Sequence, residues 1–473
     1  MAYRLTARSE PGCGLTSLDA GPRRPWAVFA VTCLGAFLVS LDLSIINIAF
    51  PAIRRTFAGS SQATLAWTIT VYAITFGALL VPAGRFADLG GRRRVFFGGL
   101  AVFAAGSAAC ALAPNAELLV AGRALQGTGA AAVQPASLGL LLAAFPLERR
   151  ARTVALWGGV GALAVVVGPT LGALLIAGAG WRWAFTLNLP LALLAWAAGR
   201  RVLPRTTAGP GRAVPDGVGI GLIVTSLALL ALGISEGPAW GWASVPTLLV
   251  LLGALVLLPV FVRRCTHRPH PVLDVSMFGS RSFSAANLAT LFYAAGFFAS
   301  LLCNVVFLTS VWRYSIVSAG LAITPPALVV VVLSGPVGRA AGFIGFRPLL
   351  VAGGVSMAVA LAVLATAIEA HPDYWGRWFP ASVLLGIGIG LTFPMLAAAS
   401  VADLGHDELA VGSAVNQSFR QFGAVIGVAS LAALLPAAAT LSDFDRTWWF
   451  CAGCALLSGA TALAVPGSAR GTR

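Results

Sequence analysis

An aspartate at position 42 stands in the run LVSLDLSIINIAFP, and an arginine at position 123 stands in GRALQGTG, both inside long apolar stretches. A charge at the centre of a membrane helix costs at least about 2.5–3.5 kcal/mol. Residues kept there against that cost carry protons, line ion or substrate paths, or pair with one another. Asp42 is the only carboxylate deep in any predicted apolar run, so proton handling is the chemistry it points to. Arg123 is its candidate partner. At about 1.5 Å per residue, Asp42 lies about 12 Å and Arg123 about 9 Å from the same predicted end of their helices. Equal depth permits pairing.

Other residues have types suited to transport. Arg420, in NQSFRQFGAVIG beside Asn416 and Gln417, is a second deep cation with no acid at its depth. A watery cavity, an anionic substrate group, backbone carbonyls or a structural role all remain open for it. The stretch GRFADLGGRRR (84–94) reads as a basic loop. Gly84, Gly90 and Gly91 permit a tight turn there. Asp88 is positioned to cap a helix N-terminus or pair with Arg92 or Arg93. Gly168-Pro169 interrupts another apolar run: Pro removes a helical hydrogen bond and kinks the helix. Gly161, Gly168 and Gly172 share one face, which suits close helix packing. Tyr72, Gln126, Gln134, Phe292, Tyr293, Phe297, Asn304 and Asn416 are polar or aromatic residues inside apolar runs. They are candidates for the wall of a mostly apolar substrate cavity, although helix packing accounts for any one of them as well.

These residues must be held by membrane helices. The chain has 473 residues, 58% hydrophobic and only 10% charged, with mean hydropathy +0.88. A soluble domain carries about 25% charged residues. Runs of about 20 apolar residues mark spans, here about fourteen, near 26–50, 64–83, 95–113, 117–141, 152–177, 183–200, 217–235, 243–262, 284–310, 317–338, 348–368, 378–400, 411–436 and 447–466. The net charge of +15 comes from arginine alone, since the sequence has no lysine. With the N-terminus inside, about 23 Arg fall in cytoplasmic segments and about 6 outside, a positive-inside bias that orients the protein and removes nucleic acid as an explanation. Trp181, Trp183, Trp240, Trp242, Trp312, Trp375, Trp378, Trp448 and Trp449 fall at predicted external helix ends, where an interfacial aromatic belt is expected. An even number of spans returns the C-terminus to the cytoplasm.

The sequence repeats internally. GRFADLGGRR (84–93) matches GRAAGFIGFR (338–347), and QGTGAAAVQP (126–135) matches LGIGIGLTFP (385–394). Similar offsets at two places predict two six-helix halves, 26–202 and 267–466, with a two-helix insertion at 203–266 and cytoplasmic tails at 1–25 and 467–473. Repeated halves with a site between them are a common plan for secondary transporters. No metal or cofactor is expected. Cys451 and Cys454 have no acid or His nearby, and Cys265, His267 and His270 lack a fourth ligand. No nucleophile–base pair or phosphate loop indicates an enzyme.

Together these motifs resemble the major facilitator superfamily, and within it the fourteen-helix drug:proton antiporters. The stretch 84–94 resembles the superfamily signature between its second and third helices. LDLSIINIAFP (41–51), GRALQGTG (122–129), GPTLGA (168–173), WRWAFTLNLP (181–190) and NQSFRQFGAVIG (416–427) resemble motifs of the first, fourth, fifth, sixth and thirteenth helices, in order along nearly the whole chain. Leu89 replaces a usual basic residue, Ala164 and Ala173 replace glycines, and Gly342 stands in the second copy where the first has Asp88. The resemblance implies an all-α fold of two pseudo-symmetric bundles plus two inserted helices. It also implies a bacterial plasma-membrane location, and proton-coupled export of a small amphipathic drug or antibiotic by alternating access, with Asp42 and Arg123 at the coupling site. A monomer in the lipid bilayer is expected. Having one deep acid favours neutral, zwitterionic or anionic substrates over divalent cations. A proton-coupled importer and a non-transporting membrane sensor or scaffold remain the alternatives.

Overall fold

The computed structural model describes residues 25–204, 216–268, 271–404, 409–436 and 438–465. The expected tails lie almost wholly outside these. The chain first builds α1 (Pro25–Thr56), α2 (Gln62–Gly90), α3 (Arg92–Ala111), α4 (Ala116–Ala144), α5 (Leu147–Ala179), α6 (Arg182–Thr186) and α7 (Asn188–Val202). A hairpin of α8 (Gly217–Trp240) and α9 (Val245–His267) follows. Then come α10 (Arg281–Ser310), α11 (Ile316–Ala322), α12 (Pro325–Ile344), α13 (Phe346–Ala367), α14 (Phe379–Val401), α15 (Leu409–Leu434) and α16 (Leu441–Ala462). Among the described residues, ten helical segments are long and apolar enough to cross a membrane. Short connections between helices are sealed by polar caps. Ser61 accepts the Thr64 amide at the start of α2, and Asn115 accepts the Leu118 amide at the start of α4. Each satisfies one of the amides that a helix start leaves unpaired.

Three boundaries differ from the sequence reading. The stretch 84–94 is not a loop: α2 continues to Gly90, a single residue, Gly91, makes the turn, and α3 begins at Arg92. Helical hydrogen bonding needs no apolar side chains, so α2 extends beyond its hydrophobic part. Gly84 is helical and faces Pro135 of α4. The Asp88 side chain lies outside the described residues. The sixth predicted span is broken at Leu187 into α6 and α7. Pro190 has no amide to give the Thr186 carbonyl, which weakens the ladder at that point. The tenth is broken between α11 and α12, where Pro325 and Pro326 start the new helix.

The internal repeat has a structural counterpart. Gly91 joins α2 to α3 with φ 90°, and Gly345 joins α12 to α13 with φ 79°. These residues occupy equivalent places in the two copies. A β-carbon on Gly129 of α4 would meet the Phe103 amide nitrogen at 2.4 Å and the Gly99 carbonyl at 2.8 Å on α3. A β-carbon on Gly388 of α14 would meet the Met357 nitrogen at 2.7 Å and the Gly353 carbonyl at 2.9 Å on α13. Helix backbones therefore touch in both halves through matched small residues. The two groups meet where α2 packs on α15, α5 on α11 and α1 on α10. The α8–α9 hairpin lies against α2 and α15. Its base is closed by Arg264, whose Nε and Nη2 both donate to Asp216.

The aromatic belt is only half as expected. Trp183, Trp240, Trp242, Trp375 and Trp449 are exposed, but Trp181, Trp312, Trp378 and Trp448 are buried. Each buried indole donates its N–H, to Thr56 Oγ1, the Glu369 carbonyl, the Ala322 carbonyl and Asn304 Oδ1 respectively. Trp312, Trp378 and Trp448 surround Phe307 and form an aromatic core near the ends of α10 and α16.

Two outcomes follow from this architecture. Gly91 adopts a backbone region almost closed to other residues, so Gly91→Ala is expected to cost about 1–3 kcal/mol, read as a lower melting temperature of the detergent-purified chain. The Arg264 hydrogen bond holds the Asp216 carboxyl below its ordinary value. Its contribution to stability is full above about pH 4 and is lost as pH falls through the lowered folded value. Asp216→Asn is therefore expected to lower the melting temperature at pH 7 and to reduce the further loss on acidification.

Candidate functional site

The deep charges meet inside the N-terminal helix group. Arg123 Nη1 donates to Asp42 Oδ2 at 2.6 Å. Both residues are enclosed, Arg123 at 0% and Asp42 at 3% exposure. A pair removed from water persists only when its remaining polar atoms are also engaged, and a ring of polar groups provides this. Gln126 Nε2 and Asn188 Nδ2 donate to Asp42 Oδ1 at 3.1 and 2.9 Å. The same two amides donate to Ser107 Oγ. Arg123 donates from Nε to the Thr68 carbonyl at 2.8 Å and from Nη1 to Gln126 Oε1 at 2.8 Å. The Tyr72 ring lies 4.2 Å from the guanidinium carbon and the Phe185 ring 5.8 Å from it, within cation–π range. Asp42 comes from α1, Thr68 and Tyr72 from α2, Ser107 from α3, Arg123 and Gln126 from α4, Phe185 from α6 and Asn188 from the first position of α7. Every element of this group except α5 contributes directly.

Local sequence explains each placement. Arg123 and Gln126 are three residues apart, so both project from one face of α4. Asn188 reaches the site because the chain breaks between α6 and α7, which brings a new helix start against α1. Three polar atoms at the site have no hydrogen-bond partner among the described residues: Arg123 Nη2, Tyr72 Oη and Asn188 Oδ1. The network is therefore closed to solvent yet retains unused hydrogen-bonding capacity.

α5 approaches the site from the side of α1. A β-carbon on Gly168 would lie 2.6 Å from both Cβ and Oγ of Ser44, and one on Gly172 would lie 3.1 Å from Ile45. Ser44 and Ile45 are two and three residues beyond Asp42. Pro169 remains inside one continuous helix, and its carbonyl faces Gly320 of α11, where a β-carbon would come within 3.1 Å. One residue on, Thr170 Oγ1 is 3.1 Å from Thr324 Oγ1. The Gly168-Pro169 segment therefore touches α1 on one side and the C-terminal helix group on the other. At the start of α3, Arg92 donates to the Gly139 carbonyl and Arg93 to the Arg200 carbonyl. This places positive charge near the C-terminal ends of α4 and α7, where the helix dipole favours it.

The cavity candidates separate. Tyr72 and Gln126 belong to the ion-pair network. Asn304 accepts from the buried Trp448 indole, and Asn416 donates to Asn287 Oδ1 and Thr290 Oγ1. These four are packing and network residues in this conformation. Gln134 and Phe292 are half-buried. Tyr293 stacks on Phe297 at 5.6 Å with an 8° interplanar angle. Arg420 stands near this aromatic group, its guanidinium carbon 4.7 Å from the Phe393 ring centroid. Asn188 and Ser107 are the functional candidates that sequence reasoning missed. Their one sequence signal is a polar residue in an apolar run, which many packing residues share.

Comparison with known proteins agrees with this architecture. The family model described as Major Facilitator Superfamily matches residues 32–428. Multidrug resistance protein Stp of Mycobacterium tuberculosis is 32% identical over 414 residues, covering 86% of this chain and 75% of that protein. The methylenomycin A resistance protein of Streptomyces coelicolor is 30% identical over 448 residues, covering 93% and 92%. The tetracenomycin C resistance and export protein of Streptomyces glaucescens is 30% identical over 414 residues, covering 87% and 76%. The crystal structure of an auto-inhibited POT family peptide transporter superimposes with a TM-score of 0.67 at 17% identity, over 94% of this chain and 96% of that one. The chain is a multi-pass membrane transporter that belongs to the Major Facilitator Superfamily.

Proposed function

We propose that the chain is a proton-driven antiporter that exports small amphipathic compounds, antibiotics among them, from a bacterial cytoplasm. The observation that carries this reading is the water-excluded Asp42–Arg123 pair. The relatives named for antibiotic and multidrug resistance supply the direction of transport. In this reading fourteen helices cross the membrane as a monomer, both termini are cytoplasmic, and residues 26–202 and 267–466 move as units around the 203–266 insertion.

Asp42 carries the proton. Burial favours a neutral carboxyl, while a paired guanidinium favours the ionised one. Separating Asp42 from Arg123 therefore promotes proton uptake, and re-pairing expels the proton. Arg123 keeps a docking place after separation, since Thr68, Gln126 and the Tyr72 ring also hold it. The movement reaches the other half through α5. A shift of α1 presses on Gly168 and Gly172, and α5 transmits it to Gly320 and Thr324. One apolar cluster links Leu41–Ile53 of α1 with α10, α13, α14 and α16. Val28–Val39 of α1 belong to a separate cluster at the inner end.

The energetics fit a modest pump. One proton crossing about 100 mV and one pH unit makes available about 3.7 kcal/mol. That supports a gradient of several hundredfold for a neutral substrate at about 1.4 kcal/mol per tenfold. A monocation exchanged for one proton gains nothing from voltage and reaches only about tenfold.

Two measurements test the scheme. Asp42→Asn removes the titratable group, and proton-gradient-driven transport in proteoliposomes is expected to fall at least about 100-fold, with binding of substrate retained. Undiminished gradient-driven transport would show that Asp42 is not the coupling residue. Gly168→Ala forces a methyl group against Ser44 and is expected to slow transport at least tenfold. Ser44→Gly in that background is expected to restore most of the rate. Failure of the second change to rescue the first would place the role of Gly168 elsewhere.

A further inference from the structure

Arg420 is the deep charge that the proton scheme does not use. It lies in the middle of α15 (Leu409–Leu434), about 16 Å from the start of the helix at 1.5 Å per residue. No ion pair or hydrogen bond engages its guanidinium among the described residues, and the Phe393 ring lies 4.7 Å from its guanidinium carbon. The residue is half-buried. A deep arginine without a counter-charge commonly faces the bundle interior or a water-filled cavity and marks a substrate or ion path. Asp42, the one deep acid, is already engaged by Arg123.

The surroundings indicate what belongs there. The Tyr293 ring lies 6.1 Å from Phe393 and is stacked on Phe297. The Tyr293 hydroxyl is buried and has no partner among the described residues. A buried hydroxyl in that state calls for a partner. Next to a cation, its natural partner is an acceptor that is itself negative.

We propose that Arg420 is the subsite for the negative group of an aromatic monocarboxylate substrate. The carboxylate takes paired N–H bonds from the guanidinium, a geometry that suits the planar fork. Tyr293 offers an O–H donor, and the aryl body rests among Phe297, Phe393 and the Tyr293 ring. One arginine balances one negative charge, so a monoanion is favoured over a dianionic phosphate. Exchange of such an anion for a proton moves two positive charges inward per cycle, so both steps use the voltage. This site deepens the export reading and rests on it for direction, but ligand binding can be measured without any gradient.

The test uses the full chain in nanodiscs, with 1-naphthoate and the isosteric 1-naphthamide as probes, measured by equilibrium binding. Wild type is expected to bind naphthoate at least tenfold more tightly than naphthamide. Arg420→Gln is expected to bring the two to parity, and Arg420→Lys to retain an intermediate preference. Equal binding of the two probes to wild type, binding of neither, or an unchanged preference in Arg420→Gln would overturn the site. If Arg420→Gln does not fold, the wild-type comparison alone decides. Uncoupler-sensitive export of naphthoate from cells reports separately on proton coupling, so failure of either idea is distinguishable from failure of the other.

Discussion

The structure of the N-terminal half is organised around one requirement: a carboxylate and a guanidinium excluded from water must have most of their hydrogen-bonding needs met by protein. The idealised cost of moving each ion into a low-dielectric interior is of order 20 kcal/mol, and several kcal/mol remain after relaxation. Asp42 and Arg123 offset this by contact, and Gln126, Asn188, Ser107 and the Thr68 carbonyl complete the shell. Those groups come from five helices. Each helix is held in rotation and depth by what it supplies, so the site also fixes how the helices stand. The proposed cycle needs a second arrangement of this site. Losing one contact weakens the reason for the others, and the unused atoms of Arg123, Tyr72 and Asn188 give a second arrangement somewhere to go.

Glycine makes the arrangement transmissible. Where Gly129 meets α3, backbone lies against backbone and there is no side chain to absorb a displacement. Backbone contacts pass movement between helices more faithfully than interdigitated side chains, which adjust by changing rotamer. The repeated half uses the same device at Gly388 and Gly353, and the two halves share the positive-φ glycine that ends their second and twelfth helices. The C-terminal half lacks the charge network. Its core near the outer end is aromatic, with Phe307 among three tryptophans.

The sequence revealed the charges because their cost is visible in one dimension: Asp42 and Arg123 are anomalous wherever their helices point. Helix depth, counted in residues, was enough to suggest that they meet. The repeat was legible from offsets alone. Asn188 was not legible, because its role depends on a helix break at Leu187 that turns it inward, and composition does not encode direction. The 84–94 stretch misled because the end of hydrophobicity was taken as the end of a helix. The tryptophans misled for a related reason. Position near a helix end is shared by belt and core residues, and only tertiary packing decides which indoles find acceptors such as Asn304 and the Glu369 carbonyl.

Charge counting joins the two halves. Two arginines and one aspartate lie at depth, so the interior carries one uncompensated positive charge when Asp42 is ionised and two when it is protonated. Protonation therefore raises the affinity of the whole interior for an anion, even one bound at a distance from Asp42, because fields in a low-dielectric interior extend farther than in water. A bound anion likewise makes protonation easier, by the reciprocity of linked binding. Antiport requires the opposite: proton and substrate must not travel together. The conflict is resolved if the proton and the anion occupy the protein in opposite conformations, which a closed Asp42–Arg123 pair enforces. In the proposed cycle the anion binds while the pair is formed, to the half that retains a spare arginine. In that proposed cycle, separation of the pair admits the proton after the α5 contact has shifted and the anion has been exposed to the other side.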